Sequence, residues 1–180
     1  MKISTIVVVL ALGLFAPKNA QFDFGKEKSN DWNTVVDGVM GGQSTAEIAY
    51  QANALQFSGD ISLANYGGFS SIRSPWTEMD LSQAKEAVIR LKGDGRTYGL
   101  MLETAQAFFL PYFKTEFSTK KGEWMEVRIP LQGMPACSMG EMTGETATAE
   151  KLKAIKRVGL ILSDKKEGPF VLDIDYLRFE

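Results

Sequence analysis

The chain has 180 residues, of which 44% are hydrophobic and 23% charged, values typical of one soluble globular domain with its own core. The formal net charge of -2 leaves no basic surplus, which speaks against nucleic-acid binding. One cysteine and no histidine exclude Ser-His-Asp and Cys-His catalysis, His-ligated zinc and an intramolecular disulfide. We therefore expect no cofactor and no resident metal.

Residues 1–20 have the organisation of a secretory signal peptide. A lysine near the start precedes an apolar run from Ile6 to Phe15, and small and polar residues follow. A run of about ten apolar residues is too short for a permanent membrane-spanning helix. We expect cleavage after Ala20, no stable membrane span afterwards, and a single periplasmic or secreted domain over residues 21–180. An uncleaved anchor is the alternative.

Several residues with special backbone or packing demands lie between two strand-like stretches in residues 31–48, DWNTVVDGVMGGQSTAEI. Glycine in β proteins usually serves geometry, so a scaffold role is favoured, with positive φ or close backbone approach at the glycines. Met40 and Trp32 are expected to fill the adjacent core. The alternative is the rim of a ligand site with Asp37 and Ser44 as polar contacts. The candidate residues are Trp32, Asp37, Gly38, Met40, Gly41, Gly42 and Ser44.

Much of the remaining chain alternates apolar and polar residues with period two, which indicates strands that bury one face. The last candidate sets Phe170, Leu172, Ile174 and Tyr176 against Val171, Asp173, Asp175 and Leu177. Only residues 146–157 look helical. The pattern predicts an all-β antiparallel sandwich or jelly roll with one short helix. The strand candidates are Glu47–Tyr50, Ala54–Ser58, Gly68–Ser74, Ala87–Gly93, Tyr98–Glu103, Tyr112–Thr119, Glu123–Pro130, Arg157–Ser163 and Pro169–Phe179.

Two blocks, WNTVVDGVMGGQS at residues 32–44 and LQFSGDISLANYGGFSSIRS at residues 55–74, resemble the complex I intermediate-associated protein 30 family. Residues 93–98, 122–130 and 158–175 fit the same family pattern, so the resemblance covers nearly all of the chain after residue 20. It implies a galactose-binding-like jelly roll. The best-known family member assists assembly of respiratory complex I and is not an enzyme. Together with the export signal, the resemblance implies a protein partner in assembly or maturation of an envelope complex.

The second block contributes the candidates Asn65, Gly67, Gly68, Phe69 and Arg73. A bend or bulge is expected at the two glycines. The arginine is expected either to pair with a buried carboxylate, Asp37 being one candidate, or to bind a ligand.

Aromatic residues offer candidate platforms for a sugar ring or a partner chain. AFFLPYF at residues 107–113 is predicted to be a core strand, with an exposed aromatic platform as the alternative. Tyr112, Tyr98 and Trp76 are better platform candidates because each has a polar edge. Trp124 lies on the polar side of its strand pattern.

Acidic and sulfur-containing residues complete the candidates. GDGRTY at residues 93–98, with Asp94, predicts a tight hairpin turn. Asp173 and Asp175 are expected to be solvated surface acids, with a groove lining or a Ca²⁺ site as alternatives. Cys137 is expected to be a small apolar residue, because no basic cluster near it in sequence would activate its thiol.

The sequence thus leads to a non-catalytic protein-binding domain. A carbohydrate-binding module is the alternative, by analogy of fold. A third possibility is a glycoside hydrolase that uses two of the carboxylates of Asp37, Asp94, Asp173 and Asp175. An exposed aromatic pair over a groove with convergent Asp, Asn and Arg would favour sugar, whereas an apolar patch without a groove would favour a protein partner.

Overall fold

The computed structural model describes residues 21–25 and 31–180, so the predicted signal segment and its cleavage site lie outside the described residues. Thirteen strands and one short α-helix, α1 (Ala149–Leu152), are found in these two ranges. The strands are β1 (Gln21–Asp23), β2 (Asn33–Val36), β3 (Thr45–Tyr50), β4 (Leu55–Ile61), β5 (Ser70–Arg73), β6 (Glu86–Lys92), β7 (Thr97–Glu103), β8 (Tyr112–Ser118), β9 (Trp124–Pro130), β10 (Pro135–Ser138), β11 (Glu141–Thr146), β12 (Arg157–Leu162) and β13 (Gly168–Phe179).

The strands form two antiparallel sheets that face each other. Sheet I has the order β3-β4-β13-β6-β9, with β1 paired to the C-terminal part of β13. Sheet II has the order β11-β10-β8-β7-β12-β5-β2. Several connections cross between the sheets: β2 to β3, β4 to β5 and β6 to β7. The predicted antiparallel sandwich is confirmed, and such crossings are typical of jelly rolls.

The core lies between the sheets and follows from the period-two patterns. Phe57 and Leu91 from sheet I, and Leu100 and Leu160 from sheet II, are almost completely buried. Trp32 is also buried, as predicted, and its ring meets those of Phe22 and Phe24 edge to face at 5.2 and 5.3 Å.

Two sequence predictions about local structure are wrong. The residues at 93–96 do not form a hairpin, because β6 and β7 belong to different sheets and the Asp-Gly turn carries the chain between them. The alternation predicted for β13 breaks at a bulge between Ile174 and Tyr176. As a result Leu177 is buried and Tyr176 is turned outward. Turn chemistry and periodicity are local signals, and neither specifies which strand a segment pairs with.

Candidate functional site

The two family blocks meet at the buried carboxylate of Asp37. Its Oδ1 accepts a hydrogen bond from the Ser44 backbone N at 3.0 Å. Its Oδ2 accepts from Ser44 Oγ at 2.6 Å, and from the backbone N of Gly68 and Phe69 at 2.6 and 3.3 Å. Burial alone would raise the pKa of Asp37, but these donors outweigh it and hold the pKa below its usual value. We call Asp37 and its donors the Asp37 hub.

The carboxylate of Asp37 occupies space that is available because nearby residues are glycines without side chains. A Cβ atom on Gly42 would lie 2.4 Å from Asp37 Cγ, and one on Gly67 would lie 2.6 Å from Asp37 Oδ2. Gly41 and Gly68 have φ values of +88° and +114°, in the left-handed region. Gly38 differs, because a Cβ there would meet only Val36 Cγ2, at 3.8 Å. The arrangement supports the scaffold interpretation of these blocks.

The outer surface of the hub is apolar. Met40 is 65% exposed, so the prediction that it fills the core is wrong; the space beneath the loop is taken by the carboxylate and its donors. Tyr66 is 99% exposed. Asn65 Nδ2 donates to the Gly41 carbonyl at 3.1 Å and ties the two loops together.

Arg73 pairs with Glu103 and not with Asp37. Arg73 Nη1 lies 3.0 Å from Glu103 Oε1, and Arg157 Nε lies 2.7 Å from Glu103 Oε2. The Arg157 guanidinium also stacks on Trp76, 3.8 Å from the ring centroid. The expected pairing of Arg73 with a buried carboxylate is confirmed, with Glu103 as the partner. Asp37 is not the partner because Arg73 ends β5, at the opposite end of that strand from the hub.

A patch of exposed apolar side chains lies at the β11 side of sheet II. The loop before β8 carries Phe108, which is 79% exposed, and Phe109, and their rings are 5.7 Å apart. Ser138 Oγ donates to the Phe109 carbonyl at 2.8 Å, which joins this loop to the β10–β11 hairpin. We call this surface the Phe/Met patch; its members are Phe108, Phe109, Leu110, Met139 and Met142.

The prediction that residues 107–113 form a core strand is therefore wrong. Pro111 lacks a backbone N–H, and β8 begins only after it, at Tyr112. Phe113 is the buried member of this stretch. Nearby, burial raises the pKa of the Cys137 thiol, which donates to Met142 Sδ at 3.2 Å. This agrees with the expectation of an unreactive cysteine.

A cleft of about 500 Å³ lies on the outer face of sheet I. Trp124 forms part of its lining and is 44% exposed. Arg90 Nε lies 3.0 Å from Asp175 Oδ2 within it. The cleft is lined by Asp23, Gly25, Asn53, Arg90, Trp124, Asp175 and Tyr176.

Other candidates have structural surroundings that differ from expectation. Tyr98 is completely buried, so it is no platform; its hydroxyl donates to Asp94 Oδ2 at 3.1 Å. Asp94 also accepts from the backbone N of Val171 at 3.0 Å. Asp173 is buried and pairs with Lys92 Nζ at 2.8 Å, so it is not a solvated surface acid. Residues 21–25 and 31–180 contain no cluster of three or more His, Cys, Asp or Glu that could hold a metal ion.

Comparison with known proteins identifies the family. The family model described as complex I intermediate-associated protein 30 (CIA30) matches residues 22–174. The chain belongs to this family. Complex I intermediate-associated protein 30, mitochondrial, of Drosophila melanogaster is 27% identical over 183 residues, covering 88% of this chain and 62% of that protein. The Mus musculus protein of the same name is 30% identical over 104 residues, covering 54% and 31%. The chain thus spans less than two thirds of either relative.

Solved structures with the same fold include carbohydrate-binding modules. The Family 11 module of the cellulase Lic26A-Cel5E of Clostridium thermocellum has a TM-score of 0.66 and 14% identity, over 91% of this chain and 95% of that one. The Family 11 module from the same organism in complex with a β-1,3-1,4-mixed-linked tetrasaccharide has a TM-score of 0.63 and 15% identity, over 88% and 94%. At such low identity the likeness shows the fold alone.

The relatives correct the expected location. Both CIA30 relatives are mitochondrial by name, so the prediction of a periplasmic or secreted protein is wrong. An apolar N-terminal run is a general targeting feature and does not by itself assign a compartment. Within the described ranges, no helix has the length and apolar character needed to cross a membrane.

The Asp37 hub predicts that alanine substitutions at Gly42 and Gly38, in the same loop, change stability by different amounts. Gly42→Ala should lower the free energy of unfolding by roughly 2–3 kcal/mol, because the new methyl group displaces a charged hydrogen-bond acceptor. Gly38→Ala, the matched control, should change it by less than about 0.5 kcal/mol. Urea unfolding followed by tryptophan fluorescence measures the free energy of unfolding of both variants. Equal losses for the two substitutions would contradict the claim that Asp37 leaves no room for a side chain at residue 42.

The hub also predicts a pH dependence. The pKa of Asp37 is lower in the folded state than its ordinary value of 3.8, so its contribution to stability is complete above that value. It is lost as pH falls through the folded pKa. The stability gap between the wild type and Asp37→Asn should therefore be widest near pH 6 and narrow between about pH 4 and pH 2. Asp60→Asn, at an exposed position, is the control. A difference in the free energy of unfolding between wild type and Asp37→Asn that stays constant from pH 6 to pH 2 would contradict a stabilising role of the Asp37 carboxylate.

Proposed function

We propose that the chain is a non-catalytic protein-binding domain that assists assembly of a respiratory complex I intermediate. The Phe/Met patch is the observation that carries this proposal. The names of the CIA30 relatives connect those proteins with complex I intermediates, and the exposed patch supplies a surface on which this chain can hold a protein partner.

The composition of the patch suits protein binding. Large contiguous apolar surfaces are uncommon on monomeric proteins and mark interaction sites, and aromatic residues and Met are enriched in the cores of interfaces. The bond from Ser138 Oγ to the Phe109 carbonyl holds the loop against the hairpin. The surface is thus held together before a partner binds, which lowers the entropic cost of association.

The strand beside the patch suggests how a partner is held. All six residues of β11 are exposed. In the described ranges β11 is the last strand of sheet II, paired with β10 on one side. We propose that an extended segment of a complex I subunit adds to this edge through main-chain hydrogen bonds and lays its apolar side chains against the Phe/Met patch.

The surroundings of the candidate catalytic groups support binding without catalysis. The carboxylates of Asp37 and Asp94 accept hydrogen bonds from the fold itself. Those of Asp173 and Asp175 are paired with Lys92 and Arg90. A glycosidase requires one carboxyl group that donates a proton and a second that acts as base or nucleophile, and these engaged carboxylates are poorly suited to both roles.

The test is co-migration of tagged protein with complex I intermediates on native gels of extracts from the cells that produce it. The double substitution Phe108→Ser/Phe109→Ser should lower the co-migrating fraction about tenfold, because it removes two apolar anchors. Tyr66→Ser, which removes a still more exposed aromatic ring near the hub, should leave the fraction unchanged.

Melting curves of both variants should match the wild type, since the substituted side chains are exposed. Two outcomes would overturn the proposal. One is wild-type protein that never co-migrates with complex I subunits, and the other is a double variant that co-migrates as well as the wild type.

A further inference from the structure

The cleft on the outer face of sheet I is separate from the proposed protein-binding surface. It extends across neighbouring strands: Trp124 belongs to the edge strand β9, Arg90 to β6 and Asp175 to β13. Asp23 of β1 and Asn53, in the turn between β3 and β4, lie beyond β13. The volume of about 500 Å³ falls within the range of about 300–1,000 Å³ that small-ligand sites occupy.

Trp124 supplies an aromatic surface in the cleft, and two cations lie near its ring. The Arg90 guanidinium carbon lies 5.6 Å from the indole centroid and Lys92 Nζ lies 5.4 Å from it. Cations at these distances attract the face of the ring and hold it in place. Each cation is in turn paired with a carboxylate of β13, so the indole is held on a network of ion pairs. Nearly half of the side chain nevertheless stays exposed to solvent.

Most of the remaining lining of the cleft is polar. Asp175, Asn53 and Arg90 present planar groups that together donate and accept hydrogen bonds. A Cβ atom on Gly25 would lie 3.4 Å from both Asp175 Oδ1 and the Asn53 carbonyl, which shows how close these two groups are at that end of the cleft. Tyr176 adds a second aromatic ring, and its hydroxyl donates to Glu126 Oε2 at 2.7 Å.

The charges of the lining select the class of ligand. The described lining contains the carboxylates of Asp23 and Asp175 and the guanidinium of Arg90. This set has no positive surplus, so it does not suit phosphate or another anion. Aromatic, amide, carboxylate and guanidinium groups in one lining match a neutral polyhydroxyl compound, which offers an apolar face together with many hydrogen-bond donors and acceptors.

We propose that this cleft binds a neutral saccharide. The apolar C–H face of one pyranose ring packs on the part of the Trp124 indole that Arg90 and Lys92 leave exposed, where burial of apolar area costs the indole no hydrogen bond. The ring hydroxyls bond to Asp175, Asn53 and Arg90, which exchange water for sugar hydroxyl groups. The fold is the one seen in a module bound to a mixed-linked tetrasaccharide, so such a site is compatible with this architecture.

Affinity electrophoresis and titration calorimetry with named probes test the proposal. The probes are a β-1,3-1,4-mixed-linked glucotetraose and the cello-, xylo- and agaro-oligosaccharides of matching length. At least one should bind, and Trp124→Ala should weaken that binding about tenfold or more. Trp124→Phe, which keeps an aromatic wall, should retain most of it. Trp76→Ala removes another partly exposed indole, outside the cleft lining, and should leave binding unchanged.

Three results would overturn the proposal. They are a wild-type protein that binds none of the probes at millimolar concentration, a Trp124→Ala variant that binds as well as the wild type, and a sulfated oligosaccharide that binds more tightly than its neutral counterpart. The Phe108→Ser/Phe109→Ser variant should bind sugar normally, and Trp124→Ala should still co-migrate with complex I intermediates. Failure of the sugar site is therefore distinguishable from failure of the proposed function.

Discussion

The hydrogen bonds to the buried carboxylate of Asp37 are the interaction on which the rest of this structure depends. The carboxylate lies at the crossing from β2 in sheet II to β3 in sheet I, and it accepts from Gly68 and Phe69 at the crossing from β4 back to β5. One ionised group thus joins two passages between the sheets. Hydrogen bonds to a charged acceptor are stronger than those between neutral groups, and removing one partner of such a buried bond costs more stability.

The hub also explains why the family pattern does not coincide with the surface that we propose for partner binding. Its two blocks use their polar groups internally: the Ser44 hydroxyl, the Gly68 and Phe69 amides and the Asn65 side chain all bond within the loops. The blocks do expose Met40 and Tyr66, but the Phe/Met patch and the Trp124 cleft lie elsewhere, at the β11 side of sheet II and on the outer face of sheet I. In this chain the residues of the pattern make hydrogen bonds across two connections between the sheets.

The sequence predicted nine of the thirteen strands in the described ranges, because a period-two pattern and turn residues are local properties, and it missed β1, β2, β10 and β11. It could not predict their partners or the exposure of loops. Arg73 and Glu103 meet only through the pairing of β5 and β7 with β12. Its polar edge makes Tyr98 a platform candidate from sequence, yet the side chain is buried and its hydroxyl bonds to Asp94. Periodicity shows that a strand has two faces, whereas the assembled sheets decide which of them is buried.

The cleft beside Trp124 shows how a small irregularity can build a site. Trp124 could be placed outward from sequence, because Met125, Val127 and Ile129 alternate with it. Strict alternation along β13 would turn Asp175 outward and Tyr176 into the core. The bulge instead makes Asp175 the additional residue, and Tyr176 pairs with Arg90. Both side chains then line the same cleft. A bulge re-aims side chains in this way, and no local pattern in the strand announces it.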